Sequence, residues 1–222
     1  MPHSSPPAQP RESPASRELI VATANSGKLR EFRTLLAGLP FELTSLAERG
    51  LPSPDETGLS FVANALLKAR HAARLSGSAA VADDSGIEVD VLGGAPGILS
   101  ARYAGVSGDD AANNAKLMHA LDGLPPDRRR ARYRCALVFL EAEHAVPLVT
   151  EGSWEGVLLE APRGSGGFGY DPYFWLPELG KTAAELSPEE KNRLSHRGKA
   201  MQALRELLRG RFGQRLASEG ER

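Results

Sequence analysis

The chain has 222 residues, of which 41% are hydrophobic and 25% are charged. These values are ordinary for a globular protein with a substantial core. Its 27 Lys and Arg residues nearly balance its 28 Asp and Glu residues, leaving a net charge of −1, which argues against a non-specific binder of nucleic acid or acidic membranes.

The composition changes at both ends of the chain. Residues 1–17 are rich in Pro and Ser and lack the apolar segment of a secretory signal, so we expect a disordered tail there. Residues 18–210 contain no linker or repeat and are predicted to form one globular domain, whereas the polar residues 211–222 are predicted to fray. The single cysteine, Cys135, cannot form an internal disulfide, and no apolar run is long enough to cross a membrane. We therefore expect a cytoplasmic protein that does not engage a membrane.

The first predicted strand leads into a polar loop. ELIVATA (18–24) is a short apolar strand, and LREFRTLLAG (29–38) places apolar residues at helical spacing up to a terminating glycine. Between them, TANSGK (23–28) presents backbone N–H groups and a lysine ammonium at the positive end of that helix. Phosphate is the natural ligand of such a loop. The Walker A spacing is absent, however, and a plain capped helix start is the alternative.

A second helix is predicted to begin after Ser60. Two of its basic residues, Lys68 and Arg70, are interpreted as surface charges because they follow ordinary helical spacing. The residues predicted to form its apolar stripe are Val62, Leu66, Ala69 and Ala73.

Two adjacent acids, Asp83 and Asp84, follow in AAVADDSGIEVDVL (79–92), which is interpreted as two strands meeting at a turn around residues 84–86. Acids at such a position can bind Mg²⁺ or poise a water molecule. Consecutive strand residues face opposite sides, so the two acids should differ in role unless the turn begins between them. An ordinary Asp-Ser-Gly turn is the alternative. The Gly/Pro-rich residues 93–105 either line a cleft or only reverse the chain.

The middle of the chain supplies a helix and a pair of strands. A helix is predicted over residues 109–121, and two long paired strands are predicted over 131–143 and 145–162, which are rich in β-branched and alternating residues. Strands and helices interleave early and a β hairpin follows, so the predicted fold class is α/β with a mixed sheet.

The segment GSGGFGYDPYF (164–174) combines four glycines with aromatic residues and one acid. Glycines let the backbone approach a ligand closely, aromatic faces stack on flat rings, and an acid accepts hydrogen bonds from ring N–H groups. The combination indicates a site for a planar polar ligand such as a nucleobase.

The last predicted helix opens with SPEE (187–190), which supplies an N-cap serine, a proline at the first helical position and a glutamate at the third. If this helix is unbroken, Arg197 lies on an apolar stripe and needs a carboxylate or a ligand oxygen as its partner. Alternatively, Ser195 caps a new helix, and His196 and Arg197 lie at its anion-attracting start. A solvated charged face is the third possibility.

Together these segments resemble the inosine triphosphate pyrophosphatase family, whose members hydrolyse non-standard purine nucleoside triphosphates (ITP, dITP, XTP) to the monophosphate and pyrophosphate. The resemblance covers nearly all of residues 19–208. It is carried by TANSGK (23–28), DETGLSFVANALLKAR (55–70), ADDSGIEVDVLGGAPGILSARYAG (82–105), GGFGYDP (166–172) and KTAAELSPEEKNRLSHRGKA (181–200). It implies an elongated two-lobed α/β fold with a central mixed sheet, an active-site cleft between the lobes, dependence on Mg²⁺ and a homodimer.

The resemblance also implies roles for individual residues. It makes Asp84 the proton acceptor and a metal ligand, with Asp83 supporting it, and makes Phe168 the stacking partner of the base. His196 and Arg197 would read the 6-oxo group of the purine. The remaining residues that it assigns to the substrate are Thr23, Asn25, Ser26, Gly27 and Lys28 for the triphosphate, and Ser85, Gly169, Tyr170, Asp171 and Lys191 for the rest of the nucleotide.

One position departs from the family pattern. The family reads S-F-x-E-N-A where this chain has Ser60 to Ala65, so Ala63 replaces a glutamate that the resemblance treats as a metal ligand. We therefore expect weaker Mg²⁺ binding than in relatives with that glutamate, with Glu56 as the nearest acid that could substitute.

Two other functions fit parts of the sequence. A sensor that binds modified purine nucleotides without hydrolysing them is compatible with Ala63 and would release no pyrophosphate. A dehalogenase-type phosphatase would use Asp83 as a nucleophile, but such enzymes carry D-x-D-x-T after the first strand, and here the acids are adjacent and come after residue 80.

Overall fold

A computed structural model describes residues 17–23 and 25–219 of the chain, with side chains through Phe212. The helices are Ser26–Leu35 (α1), Phe61–Ser76 (α2), Asp110–Ala120 (α3), Pro188–Leu194 (α4) and His196–Glu219 (α5). The strands are Arg17–Val21 (β1), Phe41–Ser45 (β2), Ala79–Val89 (β3), Arg130–Leu140 (β4), Leu148–Leu158 (β5), Phe174–Leu176 (β6) and Lys181–Thr182 (β7).

The strands form one mixed sheet in the order β2-β1-β3-β4-β5-β6-β7. β1 runs parallel to β2 and β3, and the pairs from β3 to β7 are antiparallel. The predicted α/β class with a mixed sheet is confirmed, as are the two long paired strands, which are β4 and β5.

The hydrophobic core divides along the long strands. Near β1, one core cluster packs β3 and β4 against α1 and α5, and a second packs the opposite sheet face against α2. Farther along β3, Ile87 and Val89 belong to a third cluster with α3, β5 and β6. The first two clusters form one lobe and the third cluster forms a second lobe on the same sheet. Residues 83–86 of β3 lie at the boundary between the two lobes.

The predicted turn at residues 84–86 is wrong. β3 is continuous because it pairs with β4 along its whole length, with Asp84 opposite Ala136 in the register. Gly86 is needed for close approach: a Cβ there would lie 2.3 Å from the carbonyl oxygen of Gly97. Since no turn intervenes, Asp83 and Asp84 face opposite sides of the sheet, as strand geometry requires.

The apolar stripe predicted for α2 is only partly correct. Ser60 caps the helix as predicted, since its Oγ accepts from Ala63 N at 3.1 Å. Val62 and Leu66 are only half-buried, however. The side chains that α2 buries are Phe61, Asn64, Ala65, Lys68, Ala69, Ala72 and Ala73. Two polar residues on this face were not anticipated.

The C-terminal part contains two helices. Ser187 caps α4 with the predicted reciprocal bond to Glu190. Ser195 then interrupts the helix, and its Oγ accepts from Gly198 N at 3.1 Å, so the alternative of a new helix from His196 is confirmed. At Gly152, a Cβ would lie 2.1 Å from the carbonyl oxygen of His196. Only glycine therefore permits the close contact between β5 and the start of α5.

The predicted tail boundaries change. The tail predicted over residues 1–17 lies outside the described residues except for Arg17, which is the first residue of β1. The tail predicted from residue 211 begins too early, because α5 continues to Glu219 and Phe212 is buried in the core. Among the described residues, no helix is long and apolar enough to cross a membrane.

Candidate active site

A cavity of about 110 Å³ lies at the junction of the two lobes. Residues 93–105 do line a cleft, since Ser100 and Ala101 contribute to its wall. The structure also brings ten of the predicted site residues to it: Asn25, Lys28, Ser85, Phe168, Gly169, Tyr170, Asp171, Lys191, His196 and Arg197.

The loop before α1 is built by short-range hydrogen bonds. Asn25 is the N-cap, and its Oδ1 accepts from Lys28 N at 3.0 Å, while Thr23 Oγ1 accepts from Asn25 N at 3.2 Å. A Cβ at Gly27 would lie 3.1 Å from the Phe168 ring, so this loop is in contact with residues 164–173, which we call the aromatic loop. Ser26 is the exposed first residue of α1.

Asp83 is a fully buried carboxylate whose three side-chain partners line the cavity. Its Oδ2 is 3.0 Å from Lys28 Nζ and 3.1 Å from Arg197 Nη2, and it also accepts from Ser85 Oγ at 3.2 Å. Burial alone would raise the pKa of Asp83, but the charges of Lys28 and Arg197 hold it well below its usual range. Asp83 is therefore a permanent counterion for these two cations.

Glu31 is a site residue that the sequence analysis missed. Its Oε2 is 2.5 Å from Arg197 Nη1, and its Oε1 is 3.8 Å from Lys191 Nζ. Arg197 is therefore held between two carboxylates, which compensate its charge in a position where only 2% of its surface is exposed. The sequence signal that could have identified Glu31 is its spacing. It lies three residues after Lys28, which places both residues on the same face of α1.

Asp84 faces α2 and belongs to a second charged cluster. Lys68 Nζ lies 2.9 Å from Asp84 Oδ1 and 2.9 Å from Glu56 Oε1, while Asn64 Nδ2 donates to Asp84 Oδ2 at 3.1 Å. Arg102 also pairs with Glu56, at 2.7 Å. The interpretation of Lys68 as a surface charge is wrong, because it is 8% exposed and linked to both acids. Arg70, by contrast, is exposed as predicted.

The two adjacent aspartates differ in acidity. Burial raises the pKa of Asp84 above its ordinary value, and the Lys68 ammonium offsets only part of that rise. The pKa of Lys68 is also raised, since the neighbouring carboxylates outweigh the burial of its ammonium. Asp84 is thus the more basic member of the pair.

Ala63 does not line the cavity at the lobe junction. It lines a surface depression of about 560 Å³ together with Leu66, Leu67 and Arg70. The acid that lies beside Asp84, across the Lys68 ammonium, is Glu56.

A third network surrounds the aromatic loop. Asp171 Oδ2 accepts from Phe168 N at 2.9 Å and from Lys191 Nζ at 2.6 Å, and Tyr133 OH donates to Asp171 Oδ1 at 3.2 Å. The Phe168 ring covers the cations, with Lys191 Nζ 4.5 Å from its centroid. Tyr133 is a second residue that sequence reasoning missed, since it reads only as one apolar residue of a long strand.

His196 is a buried neutral imidazole. Its ring stacks on Tyr133 with a centroid distance of 4.7 Å and an interplanar angle of 10°. Burial lowers the pKa of His196 well below its usual range, and the nearby charges of Arg197 and Lys191 lower it further. Its Nδ1 is buried without a hydrogen-bond partner among the described residues.

The described part of the chain holds no cluster of three or more His, Cys, Asp or Glu side chains suited to a metal ion. Asp84 and Glu56 form one pair of neighbouring carboxylates, since both contact the Lys68 ammonium. Mg²⁺ characteristically uses one or two carboxylates together with substrate phosphates. This donor set therefore fits Mg²⁺ bound together with a phosphorylated substrate.

Comparison with known proteins gives one consistent result. The model of the Ham1 family matches residues 19–207. The chain is 54% identical over 198 residues to a dITP/XTP pyrophosphatase from Methylococcus capsulatus, covering 89% of this chain and 98% of the relative. It is 53% identical over 194 residues to a dITP/XTP pyrophosphatase from Pectobacterium atrosepticum, covering 87% and 98%.

Solved structures agree with these sequence matches. A HAM1 protein from Coxiella burnetii is similar with a TM-score of 0.80 and 44% identity, covering 86% of this chain and 98% of that one. A nucleoside-triphosphatase or dITP/XTP pyrophosphatase from Mycobacterium abscessus is similar with a TM-score of 0.67 and 46% identity, covering 84% and 98%.

Arg197→Ala should destabilise the fold as well as alter the site. It removes one of the two cations that contact Asp83 and the nearer of the two that contact Glu31, inside the core. Because breaking a buried ion pair leaves its charges under-compensated, the free energy of unfolding should fall by about 3–5 kcal/mol in urea denaturation. The matched control on the same helix is Arg209→Ala, whose exposed pair with Glu206 should contribute less than about 1 kcal/mol. Equal losses in the two variants would show that the Arg197 pairs do not stabilise the protein.

Proposed function

The chain belongs to the Ham1 family, and we propose that it hydrolyses non-standard purine nucleoside triphosphates, namely ITP, dITP and XTP, to the monophosphate and pyrophosphate. The observation that carries this proposal is identity of more than half of the aligned residues over 98% of relatives named dITP/XTP pyrophosphatase. The cavity at the lobe junction and the cluster of Asp84, Glu56 and Lys68 on the other face of β3 together supply the groups that such a reaction needs.

The triphosphate is bound by residues 23–28 at the start of α1. Lys28 supplies a positive charge at the cavity wall, and the first N–H groups of α1 point the positive end of the helix dipole toward the anion. The Lys28 side chain is 16% exposed, so its ammonium can pair with a phosphate while Asp83 lies on its buried side. The side chains of Thr23 and Asn25 stabilise the loop conformation by accepting hydrogen bonds from the backbone N–H groups of Asn25 and Lys28.

Asp84 and Glu56 are the residues that would hold Mg²⁺. When bound, Mg²⁺ supplies positive charge that screens the phosphate oxygens and stabilises charge on the leaving pyrophosphate. Lys68 supports the same two carboxylates from α2 and keeps their repulsion low when the site holds no metal.

Asp84 is the proton acceptor of the reaction. Water attacks the α-phosphorus, the bond from that phosphorus to the bridging oxygen breaks, pyrophosphate leaves, and the proton of the water passes to a carboxylate oxygen of Asp84. A raised pKa suits this role, because a more basic carboxylate accepts a proton more readily. Asp83 does not compete for the proton, since two cations keep it ionised.

The base is recognised by residues that line the same cavity as Lys28. Phe168 stacks on the purine, and His196 and Arg197 donate to its 6-oxo group. Of the five N–H groups of Arg197, four are used by Asp83, Glu31 and Ser85 among the described residues, so one remains for a ligand. A 6-amino group would meet this donor with another donor, and a site built in this way can reject the wrong base by roughly 10⁴-fold.

Gly169, Tyr170, Asp171 and Lys191 complete the pocket for the nucleotide in this proposal. We further propose a homodimer, which the family resemblance implies, and a reducing compartment such as the cytoplasm, where a buried free thiol like Cys135 is stable. No observation favours a sensor that does not hydrolyse its ligand.

The proposed function is tested by a Mg²⁺-dependent assay of ITP, dITP and XTP beside ATP and GTP. Monophosphate, pyrophosphate and inorganic phosphate are measured separately. We expect pyrophosphate from the non-standard nucleotides and little turnover of ATP. Equal turnover of ATP and ITP, or release of inorganic phosphate in place of pyrophosphate, would contradict the proposal.

The role of Asp84 predicts a pH dependence. Activity requires the deprotonated carboxylate, so kcat/KM should fall on the acid side as pH drops through the raised pKa of Asp84. Lys68→Met removes a charge that lowers this pKa, so the acid limb should move to higher pH. Arg70→Met, an exposed change on the same helix, should leave the limb in place. A limb that stays fixed or moves to lower pH in Lys68→Met would exclude Asp84 as the acceptor.

The metal assignment predicts which acid matters. Glu56→Gln removes a proposed ligand and should raise the Mg²⁺ concentration for half-maximal activity by about tenfold or more. Ala63→Glu places a carboxylate at the other cavity and should leave that concentration unchanged. If instead Ala63→Glu lowers it and Glu56→Gln has no effect, the sequence hypothesis that position 63 supplies the ligand is correct.

A further inference from the structure

Both backbone polar groups of Gly169 are held by side chains of α3. Gly169 N donates to Asp110 Oδ2 at 2.7 Å, and Asn114 Nδ2 donates to the carbonyl oxygen of Gly169 at 2.9 Å. Gly169 has a φ of +63°, so it forms the tight turn directly after Phe168. We call these two side chains and their two bonds the α3 latch.

The latch is separate from the helix cap. Asp109, and not Asp110, is the N-cap of α3, and its Oδ1 accepts from Ala112 N at 3.0 Å. Asp110 therefore has no capping role, and its carboxylate serves the aromatic loop. Asn114, one turn later, donates to the carbonyl oxygen of Asp110 at 2.8 Å as well as to Gly169, which ties the two latch residues together.

The latch fixes one side of the Phe168 backbone, and Asp171 fixes the other. Asp171 Oδ2 accepts from Phe168 N at 2.9 Å within the aromatic loop itself. The latch bonds reach that loop from α3, across 55 or more residues of sequence, and Asp110 also lines the cavity. The Phe168 ring is thus located relative to the lobe that contains α3.

We propose that Asp110 and Asn114 are positioning residues that hold Phe168 where it stacks on the purine. This inference rests on the proposed function. Because the latch acts on the stacking residue and not on the reacting phosphate, its loss should weaken nucleotide binding and leave the chemical step unchanged. A charged acceptor on a backbone N–H is among the stronger hydrogen bonds in proteins, so the loss of Asp110 should have the larger effect.

The latch is tested by measuring steady-state kinetics and amide hydrogen exchange on the same variants of the full-length chain. For Asp110→Ala and Asn114→Ala, KM for dITP should rise, by about tenfold for Asp110→Ala, with kcat within about twofold of the unmodified protein. Exchange of the Gly169 amide should accelerate in Asp110→Ala. Asp110→Asn keeps an oxygen acceptor and should recover part of the KM.

Asp109→Ala is the matched control, because it removes the neighbouring acid and the helix cap but neither latch bond. It should lower the unfolding midpoint and leave KM for dITP unchanged. If Asp110→Ala accelerates Gly169 exchange without changing KM, the positioning role is wrong. If Gly169 exchange is unchanged, or Asp109→Ala raises KM as much as Asp110→Ala does, the latch is also wrong.

The failure of the proposed function gives a different result. It shows as an absence of pyrophosphate release from dITP by the unmodified protein, and it would remove the role of the latch with it. Normal turnover by the unmodified protein with unchanged KM in both latch variants overturns the latch alone.

Discussion

The site depends on one physical constraint, which is that two adjacent residues of a buried strand are carboxylates. An ionised carboxylate cannot be removed from water without a compensating charge or hydrogen bonds. Because Asp83 and Asp84 face opposite sides of the sheet, each needs its own partners. Asp83 is matched by Lys28 and Arg197, and Asp84 by Lys68. The cations come from α1 and α5 on one face of the sheet and from α2 on the other. These ion pairs therefore attach three helices to the same two residues of β3.

The two carboxylates reach opposite electrostatic outcomes. With two cations, Asp83 has a depressed pKa, so it stabilises the folded state at neutral pH, and this contribution is lost as pH falls through its folded pKa. Burial raises the pKa of Asp84, and the Lys68 ammonium lowers it only in part, so Asp84 remains the better proton acceptor. One strand thus places a structural counterion and a reactive base side by side, and Glu56 adds the second oxygen ligand beside the base.

Local sequence patterns correctly predicted the features that depend on interactions between residues close together in the chain. The caps at Ser60 and Ser187 and the paired strands β4 and β5 follow from short-range bonds and alternation, whereas the new helix after Ser195 was only one of three alternatives. The continuity of β3 was not predictable in this way, since it depends on pairing with β4 some 50 residues later. The glycine and the adjacent acids in that segment read as a turn because a turn is the commoner local use of Asp-Ser-Gly.

Partners across the fold were the hardest part of the site to predict. Lys68 follows ordinary helical spacing, and only the packing of α2 on the sheet shows that it is buried between two acids. Glu31 and Tyr133 were missed for a similar reason, since their partners come from α5 and from the aromatic loop. The sequence thus indicated which segments meet, but not the charges and rings that support them.

The central claim is that Asp83 and Asp84 differ in acidity because of the cations around them, and carboxyl ¹³C NMR titration of the ligand-free protein measures this directly. We expect the Asp84 carboxyl to titrate above its ordinary value of about 3.8 and Asp83 to remain ionised well below it. Titration of both carboxyls at the same pH, or of Asp83 above Asp84, would contradict the account.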